Sequence, residues 1–71
     1  MTFKVDKQYT ANAVYDFAES DDNDFELTEL GEYLLGQEFL VLKDDKTDTV
    51  ISFVLVYHSG NGAHYKCVFN N

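Results

Sequence analysis

The chain has 71 residues, a net charge of −8 and a single cysteine, Cys67. The lone cysteine excludes a disulfide within the chain, and the charge disfavours a conventional nucleic-acid binder, which needs a basic surface to displace counterions, and docking on anionic lipid. With 45% hydrophobic residues the chain is too apolar to stay disordered. At this length, however, a fold buries only roughly 60–65% of the surface exposed by the unfolded chain.

The first residues lack an apolar core behind basic residues, so they do not read as a secretory signal. The longest apolar run falls far short of the ~20 residues that cross a bilayer. One domain spanning residues 1–71 is expected, in the cytoplasm, or in the host cytoplasm if the chain is phage-encoded.

Thr2–Val5 is either a lead-in or a short edge strand with Phe3 and Val5 on one face. Asp6 has the chemistry of a helix N-cap, and a helix is expected from there to about Glu19. Its Ala11, Val14, Tyr15 and Ala18 recur at i, i+3, i+4 and i+7, the spacing of an apolar helix face. The polar run Ser20–Asp24 is a loop by composition. Asn23 with Glu26 three residues on has the form of a capping box. A second helix is therefore expected over Phe25–Leu35, with Leu27, Leu30 and Leu34 on one face and Gly36 as its left-handed terminator.

From Glu38 the pattern turns to strands. EFLVLK, the central run Thr49–His58, and AHYKCVF at Ala63–Phe69 are separated by a polar turn and by Gly60-Asn61-Gly62. Centring the first hairpin on Asp45-Lys46 sets Lys43 opposite Asp48. The expected fold class is α+β: two short N-terminal helices packed on one face of a three-stranded antiparallel meander, with the N-terminal edge strand as an addition.

The central run is apolar on both sides. Ile51, Phe53, Leu55 and Tyr57 point one way, while Val50, Val54 and Val56, with Ser52 and His58, point the other. Two short helices cover one face of a sheet. Val50, Ser52, Val54 and Val56 are thus expected to meet another surface, either a second copy in a homodimer or a different protein, the alternative being that the N-terminal residues and tyrosine side chains of the chain cover them.

Between Lys7 and Lys43 there is no lysine or arginine, while Asp16, Glu19, Asp21, Asp22, Asp24, Glu26, Glu29, Glu32 and Glu38 fall in that stretch. On a helix, Glu26, Glu29 and Glu32 form one outer stripe with neighbouring Cβ atoms about 5–6 Å apart. Such a stripe imitates a phosphate row, and its carboxylates pair with the lysines and arginines of a basic groove. Tyr33 beside it offers a rigid contact. In length, acidity and scarcity of cysteine the chain is similar to small phage-type inhibitors and immunity proteins. That likeness is one of composition, since no motif of a particular family is present.

Other constellations fall short. Asp22, Asp24 and Glu26 are spaced like the first ligands of a calcium loop, but Leu27 stands where that loop needs glycine and Tyr33 where it needs a bidentate glutamate. His58, His64 and Cys67 include the ligand types of a zinc site, yet a regular strand sends His64 and Cys67 to opposite faces. No cofactor and no catalysis are expected. The functional expectation is a small acidic binding protein of phage or mobile-element type. It covers the basic, nucleic-acid-binding surface of a target protein through Asp16, Glu19, Asp21, Asp22, Asp24, Glu26, Glu29, Glu32 and Tyr33. The alternative is an assembly protein that homodimerises through its apolar sheet face, with the acidic surface serving solubility.

Overall fold

The computed structural model describes residues 3–32 and 36–71. Among these the elements run β1 (Gln8–Thr10), α1 (Ala11–Glu19), β2 (Glu26–Glu32), β3 (Glu38–Asp44), β4 (Thr49–Ser59) and β5 (Gly62–Asn70). The five strands form one antiparallel sheet in the order β1-β5-β4-β3-β2. The fold is mostly β, which corrects the α+β expectation of two helices on a three-stranded meander. The meander is present as β3-β4-β5, and β1 and β2 extend it at its two edges.

The largest correction is β2, which replaces the expected helix over Phe25–Leu35. Its register with β3 pairs Glu26 with Lys43, Leu27 with Leu42, Glu29 with Val41 and Leu30 with Leu40, leaving Thr28 as the extra residue of a β-bulge. A bulge inserts one residue, so side chains three apart in sequence return to one face of the strand. Leu27 and Leu30 thereby share the side of Leu42 and Leu40, and Glu26 and Glu29 share the other. The spacing that reads as a helical period is produced by a bulged strand. The Thr28 hydroxyl donates to the Val41 carbonyl at 3.3 Å and so anchors the bulge. Gly31 lies opposite Phe39, and a Cβ there would sit 3.3 Å from the Phe39 ring. The glycine is therefore a place for an aromatic ring on a neighbouring strand. Gly36 is left-handed as expected (φ 78°), while Tyr33, Leu34 and Leu35 of the expected helix lie outside the described residues.

The first helix also starts later than expected. Asp6 has φ 71°, which no helical residue adopts, and its N–H donates to the Cys67 carbonyl at 2.8 Å. Thr10 is the N-cap, with its Oγ1 accepting from Ala13 N at 3.2 Å. Val14 is fully buried, and Ala11, Tyr15, Phe17 and Ala18 pack around it against the sheet.

Buried residues Leu40, Leu42, Ile51, Phe53, Tyr65 and Cys67 belong to the sheet face that α1 covers. The N-terminal segment lies on that side too; of the two readings of Thr2–Val5, Phe3, Lys4 and Val5 follow the lead-in and form no edge strand, and Thr2 lies outside the described residues. Phe3 is buried while Val5 is 48% exposed. The Phe3 ring meets Tyr9, Phe17 and Phe53 edge-on, at centroid distances of 4.7, 5.0 and 5.0 Å. The backbone of Phe3 is fixed as well, because Asn70 Nδ2 donates to its carbonyl at 2.6 Å.

The β3–β4 turn differs in register from the expectation. Lys43 lies opposite Val50, and a loop over residues 45–48 closes the hairpin between Asp44 and Thr49. Buried Asp44 accepts from Lys46 N at 2.9 Å, and Asp48 takes a left-handed φ of 54°. These two residues set the four-residue turn. At the β4–β5 turn Ser59 pairs with Gly62 and His58 with Ala63, with Gly62 at φ 105°.

Truncating Phe3 to Ala removes the ring shared by three aromatic contacts and is expected to cost about 3–5 kcal/mol. That is a large part of the roughly 4–11 kcal/mol typical of a chain this long. Urea unfolding should show a matching drop in midpoint; a midpoint within the error of the native chain contradicts this account of the core.

Candidate functional site

The acidic residues gather at one end of the molecule, on the last turns of α1 and the loop that leaves it. Asp16, Glu19, Asp21, Asp22 and Asp24 are all exposed. Asn23 shapes the loop: its Nδ2 donates to the Phe17 carbonyl at 3.0 Å, and its Oδ1 accepts from Phe25 N at 2.9 Å. The residue expected to cap a second helix therefore ties the end of the first helix to the start of β2. Ser20 Oγ accepts from Asp22 N at 3.2 Å and holds Asp22 back towards α1.

Between helix and loop lies an open cleft of about 650 Å³. Ala13, Phe17 and Phe25 supply its apolar wall, and Asp16 and Asp22 stand on its rim. The two phenylalanine rings are 5.4 Å apart. A smaller depression of about 210 Å³ continues the acidic surface past Asp24 and Glu26 to Asp44 and Asp45. Lys43 and Lys46 enter there, pairing with Asp45 at 3.7 Å and with Asp24 at 3.2 Å. Both pairs are exposed, so each contributes little.

The placement of Asp16 and Glu19 runs against local electrostatics. The C-terminal end of a helix carries partial negative charge and favours cations, and the last turn of α1 holds no basic residue. Acids here raise the free energy of the fold by a few tenths of a kcal/mol or more.

The other expected site residues are dispersed. Glu26 and Glu29 are exposed on β2, on the sheet face away from α1. The backbone of Glu32 pairs with Glu38, one parity step from Glu29, so the three-glutamate helical stripe does not form. Tyr33 lies outside the described residues. Val50, Ser52 and Val54 are half-buried on the face opposite the helix, and Val56 is 44% exposed at a second bulge. That bulge rotates Tyr57 out of the series Ile51-Phe53-Leu55 and pairs it with His64, so the expectation that Tyr57 joins the core face is corrected.

No family model, curated protein or solved structure matches this chain. The site has to be read from its own geometry.

His64 and Cys67 fall on opposite faces of β5. Cys67 is fully buried, whereas the His64 ring stacks on Tyr57 at 4.3 Å and its Nε2 lies 2.8 Å from Ser59 Oγ. Ser59 Oγ also accepts from Asn61 N at 3.2 Å, so this group of residues pins the β4–β5 turn. Neither cleft includes Ser59 or His64. Among the described residues no group of three or more His, Cys, Asp or Glu is placed to hold a metal ion. Among the same residues no helix is long and apolar enough to cross a membrane.

Sequence patterning had shown the acids but not the cleft. Phe17 and Phe25, which flank the acidic loop eight residues apart, were the available signal.

Burial pushes the Cys67 thiol above its ordinary value of 9.0, and it pushes the Tyr65 phenol above 10.0. Both groups hold their protons more tightly in the folded state, so proton release favours the unfolded chain. Their contribution is intact below about pH 9 and is lost as the pH rises through the raised values. Denaturation followed from neutral to alkaline pH should show stability falling above about pH 9, and Cys67→Ala should flatten the first part of that fall. An unchanged alkaline profile in the variant removes Cys67 as its cause.

Proposed function

We propose that the chain is a small non-enzymatic binding protein, an inhibitor of phage or mobile-element type acting in the cytoplasm. It covers a basic, nucleic-acid-binding surface of a target protein with the carboxylates from Asp16 to Asp24. The observation that carries this reading is the cleft at the end of α1. An arginine or lysine stem fits against the Phe17 and Phe25 wall while its charged head meets Asp16 and Asp22. Arginine gains both from stacking on an aromatic wall and from paired contacts with carboxylates.

Electrostatics supports the same reading. Asp16 and Glu19 oppose the helix dipole, so their presence is not explained by stability. A surface meant for solubility alone usually mixes signs, whereas here Lys46 is paired to Asp24 at the margin of the cluster. With β2 a strand, the phosphate-like row is carried by the helix end and loop.

The reading makes stability and binding move in opposite directions. Asp16→Lys with Glu19→Lys should stabilise the fold by about 0.3–1 kcal/mol per charge at low salt, raising Tm by a few degrees. The same double variant should weaken binding at least tenfold, or about 1.4 kcal/mol. The target is to be isolated by affinity capture from host extract, and its complex titrated with salt from about 50 to 500 mM. The captured protein should bind nucleic acid, the chain should compete with that nucleic acid, and affinity should fall steeply with salt. Affinity indifferent to salt, or a captured protein without nucleic-acid binding, overturns the proposal.

A further inference from the structure

The sheet has a second face, and its charge differs from that of the rest of the molecule. On the side away from α1, the register aligns Lys66, Val54, Phe39 and Gly31 in one row across β5, β4, β3 and β2. The next row holds Phe69, Ser52, Val41 and Glu29, and the one beyond it holds Val50, Lys43 and Glu26. The middle of this face is apolar, and Phe69 remains 48% exposed. The N-terminal segment does not cover it, because Phe3 is buried on the helix side.

Its described charges are Lys43 and Lys66 against Glu26 and Glu29, two of each sign, in a chain whose net charge is −8. The negative excess therefore resides elsewhere. A strongly basic partner gains nothing by choosing this face, and a second copy is not repelled by it.

We infer that this face is the interface of an isologous homodimer. The two sheets pack about 10 Å apart, with a two-fold axis between them running along β4. That operation lays β5 of one copy over β3 of the other, and β1 over β2. Val50 and Val54 then close on their counterparts and Phe69 on Val41, the aliphatic stem of Lys66 lies over Phe39, and the small Ser52 sits near the axis. Lys66 of one copy comes down one row and one strand from Glu29 of the other, and symmetry makes that pair twice. The axis sets the pairing: turned perpendicular to the strands, it would bring Lys66 over the end of β5 and away from Glu29. This inference does not depend on the acidic cleft, which lies on the helix side of the sheet.

Sedimentation equilibrium of the full chain across a concentration series tests it. A monomer–dimer equilibrium is expected, with Val54→Asp shifting it to monomer while far-ultraviolet circular dichroism stays native. Because a charge at half-buried Val54 can instead unfold the chain, Lys66 and Glu29 give the second measurement. Lys66→Glu alone sets two acids against each other and Glu29→Lys alone sets two lysines, and each should raise the dimer Kd about tenfold. The combined variant restores opposite signs and should return the Kd towards the native value. A chain that is monomeric throughout the series overturns the inference, and so does a combined variant no tighter than either single one.

Discussion

The fold depends on Phe3 reaching the middle of the core. Its ring touches a strand residue in Tyr9, a helix residue in Phe17 and the central strand in Phe53, so one side chain packs against three separate elements. A helix of nine residues is too short to persist in water without such packing. With a free cysteine and no disulfide, this aromatic cluster does the joining that a covalent link does in many chains of this size. The segment is held as well as packed. Asn70 Nδ2 bonds to the Phe3 carbonyl, the Tyr9 hydroxyl accepts from Lys4 N at 2.8 Å, and Cys67 exchanges hydrogen bonds with Asp6 and Lys7. The two ends of the chain are thereby fastened to each other over the open end of the core.

Legibility of the sequence followed from how local the deciding contacts are. The meander β3-β4-β5 could be read because alternation and turn residues are local properties. The second helix could not be excluded in this way. Leu27 and Leu30 lie three apart, and the contact that makes them a strand pair is with Leu42 and Leu40. The bulge at Thr28 then gives a strand the period of a helix. Asn23 misled for a related reason, since an Asx turn and an N-cap use the same side-chain acceptor bonded to a backbone N–H two or three residues ahead. Asp6 was a reasonable cap by chemistry, but its position opposite Cys67 on β5 decides its conformation. As for the site, charge counts located the acids correctly in sequence and could not divide them between surfaces. That division is a tertiary property.

Its physical agent is again the bulge. Had β2 been regular, Glu26 and Glu29 would have fallen on opposite faces, with one of them on the side of Leu40 and Leu42. The inserted Thr28 keeps both on the outer face, where Glu26 stands opposite Lys43 in the register. The acids of α1 and its loop stay on the helix side, with Glu38 and buried Asp44 of β3. One extra residue in an edge strand thus separates a charge-balanced sheet face from an acidic helix end, within a molecule whose extents are 32 × 26 × 19 Å.

The separation has a mechanical consequence. The cleft at Asp16 and Asp22 is walled by Phe17 and Phe25, which pack against the same core as Phe3. The outer face is built on the opposite side of that core, from the backs of the strands that carry Leu40, Phe53 and Cys67. A contact made on the outer face leaves the cleft open. Two copies joined there would present two clefts on opposite sides of the pair, facing away from each other, so that a single basic groove engages one of them at a time. Gain through multivalency then requires a target that is itself repeated, since linked sites raise avidity only when both can be occupied together.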